Sequence, residues 1–328
     1  MSTTKDKASS MEKRVKIESL VMGSLVGEQG DTTLSFTRGY STDVEFLCRS
    51  LTGDGPRHAT LFLLHFADGR HLVVHVQGGH TTFGGGVRDY ATRAVYEFDD
   101  TTLSEAGGYL PLLPLFDGMR HYEEKTYETA AERTLCTVAD EPLTPAEQRL
   151  GAAVAQALTH YGRLFIQVGE EEMRVGDDLW HSSRLRSLLH VFDHLPPGWR
   201  EKATLAFSVN HASTDTQALL QEVRVVVHHD PISDWGNKAI GAYLVDWTGA
   251  EPQWKSQERL PLWQEALQQL LVEGMSVVES STADSTPATP SAESEMPQSP
   301  PSRRKGCLVN LLMTLLLIVL GLVCCPFL

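Results

Sequence analysis

Apolar positions recur along residues 14–278 at two spacings, and the spacing changes near the middle of the chain. In the first half the period is two. Val15, Ile17, Leu20 and Val21 predict an opening strand, and Thr33-Leu34-Ser35-Phe36-Thr37 alternates as a half-buried strand does. Thr60–Phe66 and His71–Val76 are apolar runs separated by Ala67-Asp68-Gly69-Arg70, and Asp-Gly between two such runs predicts a β-hairpin. Ala94–Phe98 predicts a further short strand.

In the second half the period lengthens. Thr144-Pro145-Ala146-Glu147 places a capping Thr, a Pro at the first helical position and a Glu three residues after the cap. Leu150, Val154, Leu158 and Tyr161 follow on one helical face, and Gly162 supplies the stop. Leu185, Leu188, Leu189, Phe192 and Leu195 predict a second amphipathic helix closed by Pro196-Pro197. Arg163–Val168, Leu205–Val209, Val223–Val227 and Ala242–Trp247 read as strands, the third from its β-branched run. Pro261–Val272 predicts a last helix with Leu262, Leu267, Leu270 and Leu271 on its core face. The expected fold class is α+β, with mixed or antiparallel sheets and amphipathic helices, and a candidate subdivision near residue 140.

The patterning fails at both ends. Residues 1–13 are polar and predict a disordered N-terminus. Residues 279–305 are rich in Ser, Thr, Pro and Glu and end in Arg303-Arg304-Lys305; such a segment buries too little apolar surface to offset its ordering entropy. It reads as a tether, and its 24 residues from Glu279 to Ser302 reach about 25–30 Å as a flexible chain. Gly306 to Leu328 then carries no charged side chain, and only Asn310 and Thr314 interrupt the run from Leu308 to Val323. A helix rising about 1.5 Å per residue crosses the roughly 30 Å hydrocarbon core over such a length, so residues 306–326 predict a transmembrane helix. The basic collar of Arg303, Arg304 and Lys305 predicts that the body faces the cytoplasm, at a bacterial inner membrane in the favoured reading.

Charge narrows the partners. The chain carries −14, the collar contributes +3, and residues 1–302 therefore carry −17. Such a body repels nucleic-acid phosphates and favours a protein partner. Only Cys48 and Cys136 of the five cysteines lie ahead of the apolar run, which excludes a disulfide framework and a cysteine zinc site.

Chemistry is sparse. Gly78-Gly79-His80-Thr81-Thr82-Phe83-Gly84-Gly85-Gly86 follows a predicted strand, but it lacks the Lys-Ser/Thr of a P-loop and the G-x-G-x-x-G spacing. It reads as a hairpin loop. Gly78, Gly79, His80, Gly84, Gly85, Gly86 and Arg88 form the candidate recognition element. His190 and His194 lie four apart on the second predicted helix, with Val-Phe-Asp between them in place of the Glu of H-E-x-x-H. With His228 they are the candidate metal ligands of a rival reading, a membrane-tethered metal-dependent hydrolase. The acidic neighbours Asp99-Asp100 read as solvated turn residues. No sequence motif implies a cofactor.

The block Leu188-Leu189-His190-Val191-Phe192-Asp193-His194-Leu195-Pro196-Pro197-Gly198-Trp199, continuing to Leu205-Ala206-Phe207-Ser208-Val209, resembles the GTPase-associated protein family of bacterial conflict systems. The shared features are a helix, a Leu-Pro step, a short polar helix and an apolar strand carrying Phe-Ser. The resemblance covers at most residues 14–230, and the family's longer middle and C-terminal regions are absent here. It implies an adaptor or sensor working beside a nucleotide-dependent partner.

Overall fold

A computed structural model of the protein describes residues 13–23, 32–37, 60–83, 86–116, 126–129, 131–135, 141–160, 162–169, 182–209, 223–257 and 259–282. The basic collar, the predicted membrane span, most of the tether, residues 1–12, Gly84 and Gly85 lie outside these residues. Among the described residues no helix is long and apolar enough to cross a membrane.

The first half builds β1 (Arg14–Lys16), β2 (Glu18–Gly23), β3 (Thr32–Thr37), β4 (Thr60–His65), β5 (Arg70–Phe83) and β6 (Gly86–Asp99). A short helix α1 (Asp100–Ala106) follows, then β7 (Thr126–Thr129) and β8 (Glu132–Thr134). The second half alternates helix and strand. It comprises α2 (Pro145–Thr159), β9 (Leu164–Val168), α3 (Ser183–Asp193), β10 (Leu205–Val209), β11 (Val225–His228), β12 (Tyr243–Trp247), β13 (Gln253–Trp254) and α4 (Trp263–Thr282).

Eleven strands join in one sheet, in the order β13-β12-β9-β11-β10-β4-β5-β6-β2-β3-β7. Helix–strand alternation makes β12, β9, β11 and β10 mutually parallel, because a parallel pair needs a long crossover. The hairpin-linked strands β4, β5, β6, β2 and β3 are antiparallel. The two halves meet where β10 pairs antiparallel with β4, so the subdivision expected near residue 140 does not divide the sheet.

Both faces of the central strands are buried, which explains their continuous apolar runs. Leu61, Leu63, Val73, Ile166, Phe207 and Val227 face α2 and α3, whose Leu150, Val154, Leu185, Leu188 and Phe192 complete that core. The alternate residues Phe62, Leu72, Val74, Phe165 and Val226 face the opposite side with Trp235, from the 3-10 stretch Ile232–Ala239. The β10–β11 ladder shifts register between Phe207 and Val209, where Ser208 takes φ 64° and its carbonyl accepts from Thr60 Oγ1 at 3.3 Å.

Three expectations are corrected. The glycine-rich stretch is not a loop: Gly78, Gly79 and His80 belong to β5, and Gly86 and Arg88 to β6, with His80 opposite Asp89 and Thr81 opposite Arg88. Helix α4 begins at Trp263 and runs four residues into the stretch read as tether, to Thr282. Its core face is Ala266 and Leu270 with Leu267 packed beside them, so two of the four expected positions hold, while Leu262 and Leu271 are exposed. The Trp263 ring sets that phase by lying against Gly151 of α2, where a Cβ would stand 2.6 Å from Cζ3.

Candidate functional site

Two features stand out from the sheet. The first is the ribbon made by the far ends of β5 and β6. Pairing of β4 with β5 reaches only Thr60 opposite Val76, and pairing of β2 with β6 only Met22 opposite Arg93. The hairpin continues for seven further register pairs, from Gln77 opposite Thr92 to Phe83 opposite Gly86. Among the described residues no third strand pairs with this part. Glycines at Gly78, Gly79 and Gly86 suit a narrow ribbon that another backbone approaches closely.

The second feature is a polar cluster at the other end of the same hairpin. The turn Phe66-Ala67-Asp68-Gly69 closes with Gly69 N–H donating to the Phe66 carbonyl at 2.9 Å, and Gly69 takes φ 81°. The turn makes His65 and His71 register partners, and their period-two positions point to the α2–α3 face. Strand β6 ends beside this turn, where Asp99 caps α1 by accepting from Thr102 N–H at 2.7 Å. Asp100, next along, lies under Gly69, where a Cβ would stand 2.7 Å from Asp100 Oδ2. Asp99 and Asp100 remain solvent-accessible, as expected, and in addition serve as a helix cap and as a member of the cluster.

His71 is fully buried, and its Nε2 lies 2.7 Å from Asp100 Oδ1. Its Nδ1 lies 3.2 Å from the buried Tyr109 hydroxyl, which also stands 3.4 Å from the Arg200 carbonyl. Because a carboxylate only accepts, Nε2 carries the proton and Nδ1 accepts from Tyr109. Burial holds the His71 pKa below its ordinary value, against the hydrogen bond to Asp100, so the ring is neutral. Burial likewise pushes the Tyr109 hydroxyl well above its ordinary value, so it stays protonated. The His65 ring lies tilted by 35° against His71, 4.7 Å between centroids, with Nε2 3.6 Å from the same Asp100 oxygen. That nitrogen is buried and makes no hydrogen bond.

The cluster is held by α3. The Asp193 carboxylate accepts from the backbone N–H groups of Tyr109 and Leu110 at 2.6 and 2.9 Å. Burial pushes its pKa up to about 7, against those two hydrogen bonds. Gly108, at φ 148°, is obligatory here because a Cβ would lie 2.2 Å from Asp193 Cγ.

The three histidines proposed from sequence are not gathered. His190 in the last turn of α3 and His194, its C-terminal cap, have ring centroids 4.6 Å apart. His190 places Nδ1 3.1 Å from Glu147 Oε1 and Nε2 3.0 Å from the Glu141 carbonyl, so both nitrogens face oxygen acceptors. His194 Nδ1 lies 2.9 Å from the His190 carbonyl. His228 sits on the opposite face of the sheet, against Phe165 and Trp235. Burial lowers its pKa to about 4.

Sequence reasoning missed His65, His71 and Asp100. The available signal was the symmetric placement of two histidines around the Asp-Gly turn, which makes them a cross-strand pair. No family model matches the chain, and no curated protein or solved structure is significantly similar to it.

Proposed function

We propose that this protein is a membrane-anchored, cytosol-facing adaptor or sensor whose acidic α+β body engages a protein partner through the β5–β6 ribbon. The carrying observation is the run of seven ribbon pairs with no third strand among the described residues. Unpaired strand edges donate and accept main-chain hydrogen bonds, and adding a strand from a partner satisfies them. The −14 charge of the chain favours a basic or neutral partner surface over nucleic acid. The resemblance of residues 188–209 to GTPase-associated proteins supports a nucleotide-dependent partner. The apolar run at residues 306–326, behind its basic collar, supports anchoring at a bacterial inner membrane. The rival reading as a hydrolase using His190, His194 and His228 draws no support from a geometry that sets His228 on the opposite face.

The test is affinity capture of the full chain from its native membrane, with and without added GTP, beside a variant in which residues 78–91 are replaced by a two-residue turn. The adaptor reading expects a specific partner that the shortened ribbon loses while circular dichroism is unchanged. Equal recovery by both forms, or no specific partner with either, overturns it. Truncation after Ser302 serves as the control, and should release the chain from washed membranes.

A further inference from the structure

We propose that His65, His71 and Asp100 form a binding site for a divalent transition metal of the zinc class. The three side chains come from the two strands of one hairpin and from the first residue of α1, so the site ties β4, β5 and α1 at one point. One ligand atom from each lies within 4.8 Å of the other two. Tetrahedral zinc, with bonds of about 2.0–2.1 Å, needs donors about 3.3–3.4 Å apart. His65 Nε2 stands 3.6 Å from Asp100 Oδ1, close to that value. His71 Nε2, at 2.7 Å from the same oxygen, is a hydrogen bond that must open by about 0.6 Å. The Asp100 side chain is 47% exposed whereas His71 is fully buried, so the opening falls to the Asp100 carboxylate.

The buried His65 Nε2 is the second, independent sign. It lies 3.6 Å from the shared oxygen and makes no hydrogen bond, and a buried imidazole nitrogen left so costs free energy that a cation at this point recovers. The third is the arrangement behind His71. A metal on Nε2 displaces its proton, so the proton must sit on Nδ1, and Nδ1–H then needs an acceptor. Tyr109 Oη lies 3.2 Å away and fills that role once its own hydrogen turns to the Arg200 carbonyl at 3.4 Å. Tyr109 thus serves both tautomers: it donates to Nδ1 in the metal-free site and accepts from it in the loaded one.

Two imidazoles select a transition ion over Mg²⁺ or Ca²⁺, which prefer oxygen donors. Three protein ligands, one of them half exposed, leave the fourth position to solvent. The negative net charge of the chain favours the cation further.

The probe is zinc or cobalt alone, added to the full chain in detergent after chelator treatment. Elemental analysis after desalting should find one zinc per chain, and cobalt should give the visible band of a four-coordinate site. His65→Gln and Asp100→Asn should each weaken zinc binding by at least about 100-fold. Tyr109→Phe, which removes the acceptor for Nδ1–H, should weaken it by about 10-fold, and His190→Gln should leave it unchanged. Asp100→Asn replaces a partly exposed group, so near-ultraviolet circular dichroism can confirm its fold before titration. Failure of the unsubstituted chain to retain zinc overturns the assignment, as does undiminished binding by the folded Asp100→Asn and His65→Gln chains.

Discussion

Replacing His75 with Leu should make the protein markedly less sensitive to acid. His75 is fully buried in β5, between its cross-strand partners Leu61 and Ala94, and burial lowers its pKa to about 3. In the unfolded chain the same ring titrates near 6.5. Between these values the unfolded state binds a proton that the native state refuses, so stability rises with pH across that window and falls on acidification. At pH 5 the pair of values costs the fold about 2 kcal/mol relative to pH 7. His228, lowered to about 4 on the opposite face, acts with the same sign and costs about 2 kcal/mol more at pH 5. Asp193, raised to about 7, works the other way, because its native carboxyl holds a proton that the unfolded chain releases above about 4. The two histidines outweigh it. Leu is close to the imidazole in volume and does not titrate, so any packing or pairing lost with the ring appears equally at both pH values and the difference between them reports the titration. Urea midpoints of the full chain and the His75→Leu chain, measured at pH 7 and pH 5, give the comparison. The variant should lose about 2 kcal/mol less than the parent between the two values. Equal losses would show that His75 takes up its proton without unfolding, and the burial argument would fail.

Two further predictions follow from local geometry. Gly108→Ala forces a Cβ to within 2.2 Å of Asp193 Cγ at φ 148°, whereas Gly107→Ala, at φ 86°, meets nothing within 4 Å. Thermal melts should show the Gly107 substitution costing about 1–2 kcal/mol from backbone strain alone, and the Gly108 substitution clearly more. Glu147→Ala removes the carboxylate that accepts from Thr144 N–H at 2.9 Å and faces His190 Nδ1 at 3.1 Å. Urea unfolding should register about 1–2 kcal/mol of lost stability, most of it from the start of α2.

The parts of the fold that could be read from sequence are those set by short-range rules. The capping box at Thr144–Glu147 needs only a side chain and a backbone within one turn, and both of its hydrogen bonds are present. Asp68-Gly69 marked the β4–β5 hairpin because only a few residue types tolerate the left-handed backbone of that turn. The ribbon was not legible: glycines carry no side chain to alternate, so strands through Gly78, Gly79 and Gly86 look like a loop. The face of helix α4 was legible in half: Leu267 and Leu270 meet the core as the spacing predicts, while Leu262 and Leu271 are exposed, because the phase is trimmed by Trp263 meeting a glycine of α2, a contact between distant segments. The candidate metal ligands were hidden for a related reason. His65 and His71 sit six positions apart, and Asp100 joins them only because β6 runs back along β5 to end beside the turn. His190 and His194 had the visible helical spacing, but both His190 nitrogens face Glu147 and Glu141, and His194 Nδ1 faces the His190 carbonyl.

The seam between β4 and β10 has a consequence for how the chain is made. Thr60 and Ser208, which meet across it, are 148 positions apart. At about 5–20 residues per second, a ribosome takes roughly 7–30 s to travel that distance. Through that interval Leu61, Phe62 and Leu63 have been synthesised while their partners Phe207, Ala206 and Leu205 have not. A hairpin of this kind forms in about 1–10 μs, so β4 and β5 pair early and then wait with one apolar edge open. The nascent chain therefore passes through a long stage in which its centre is a strand edge without its mate.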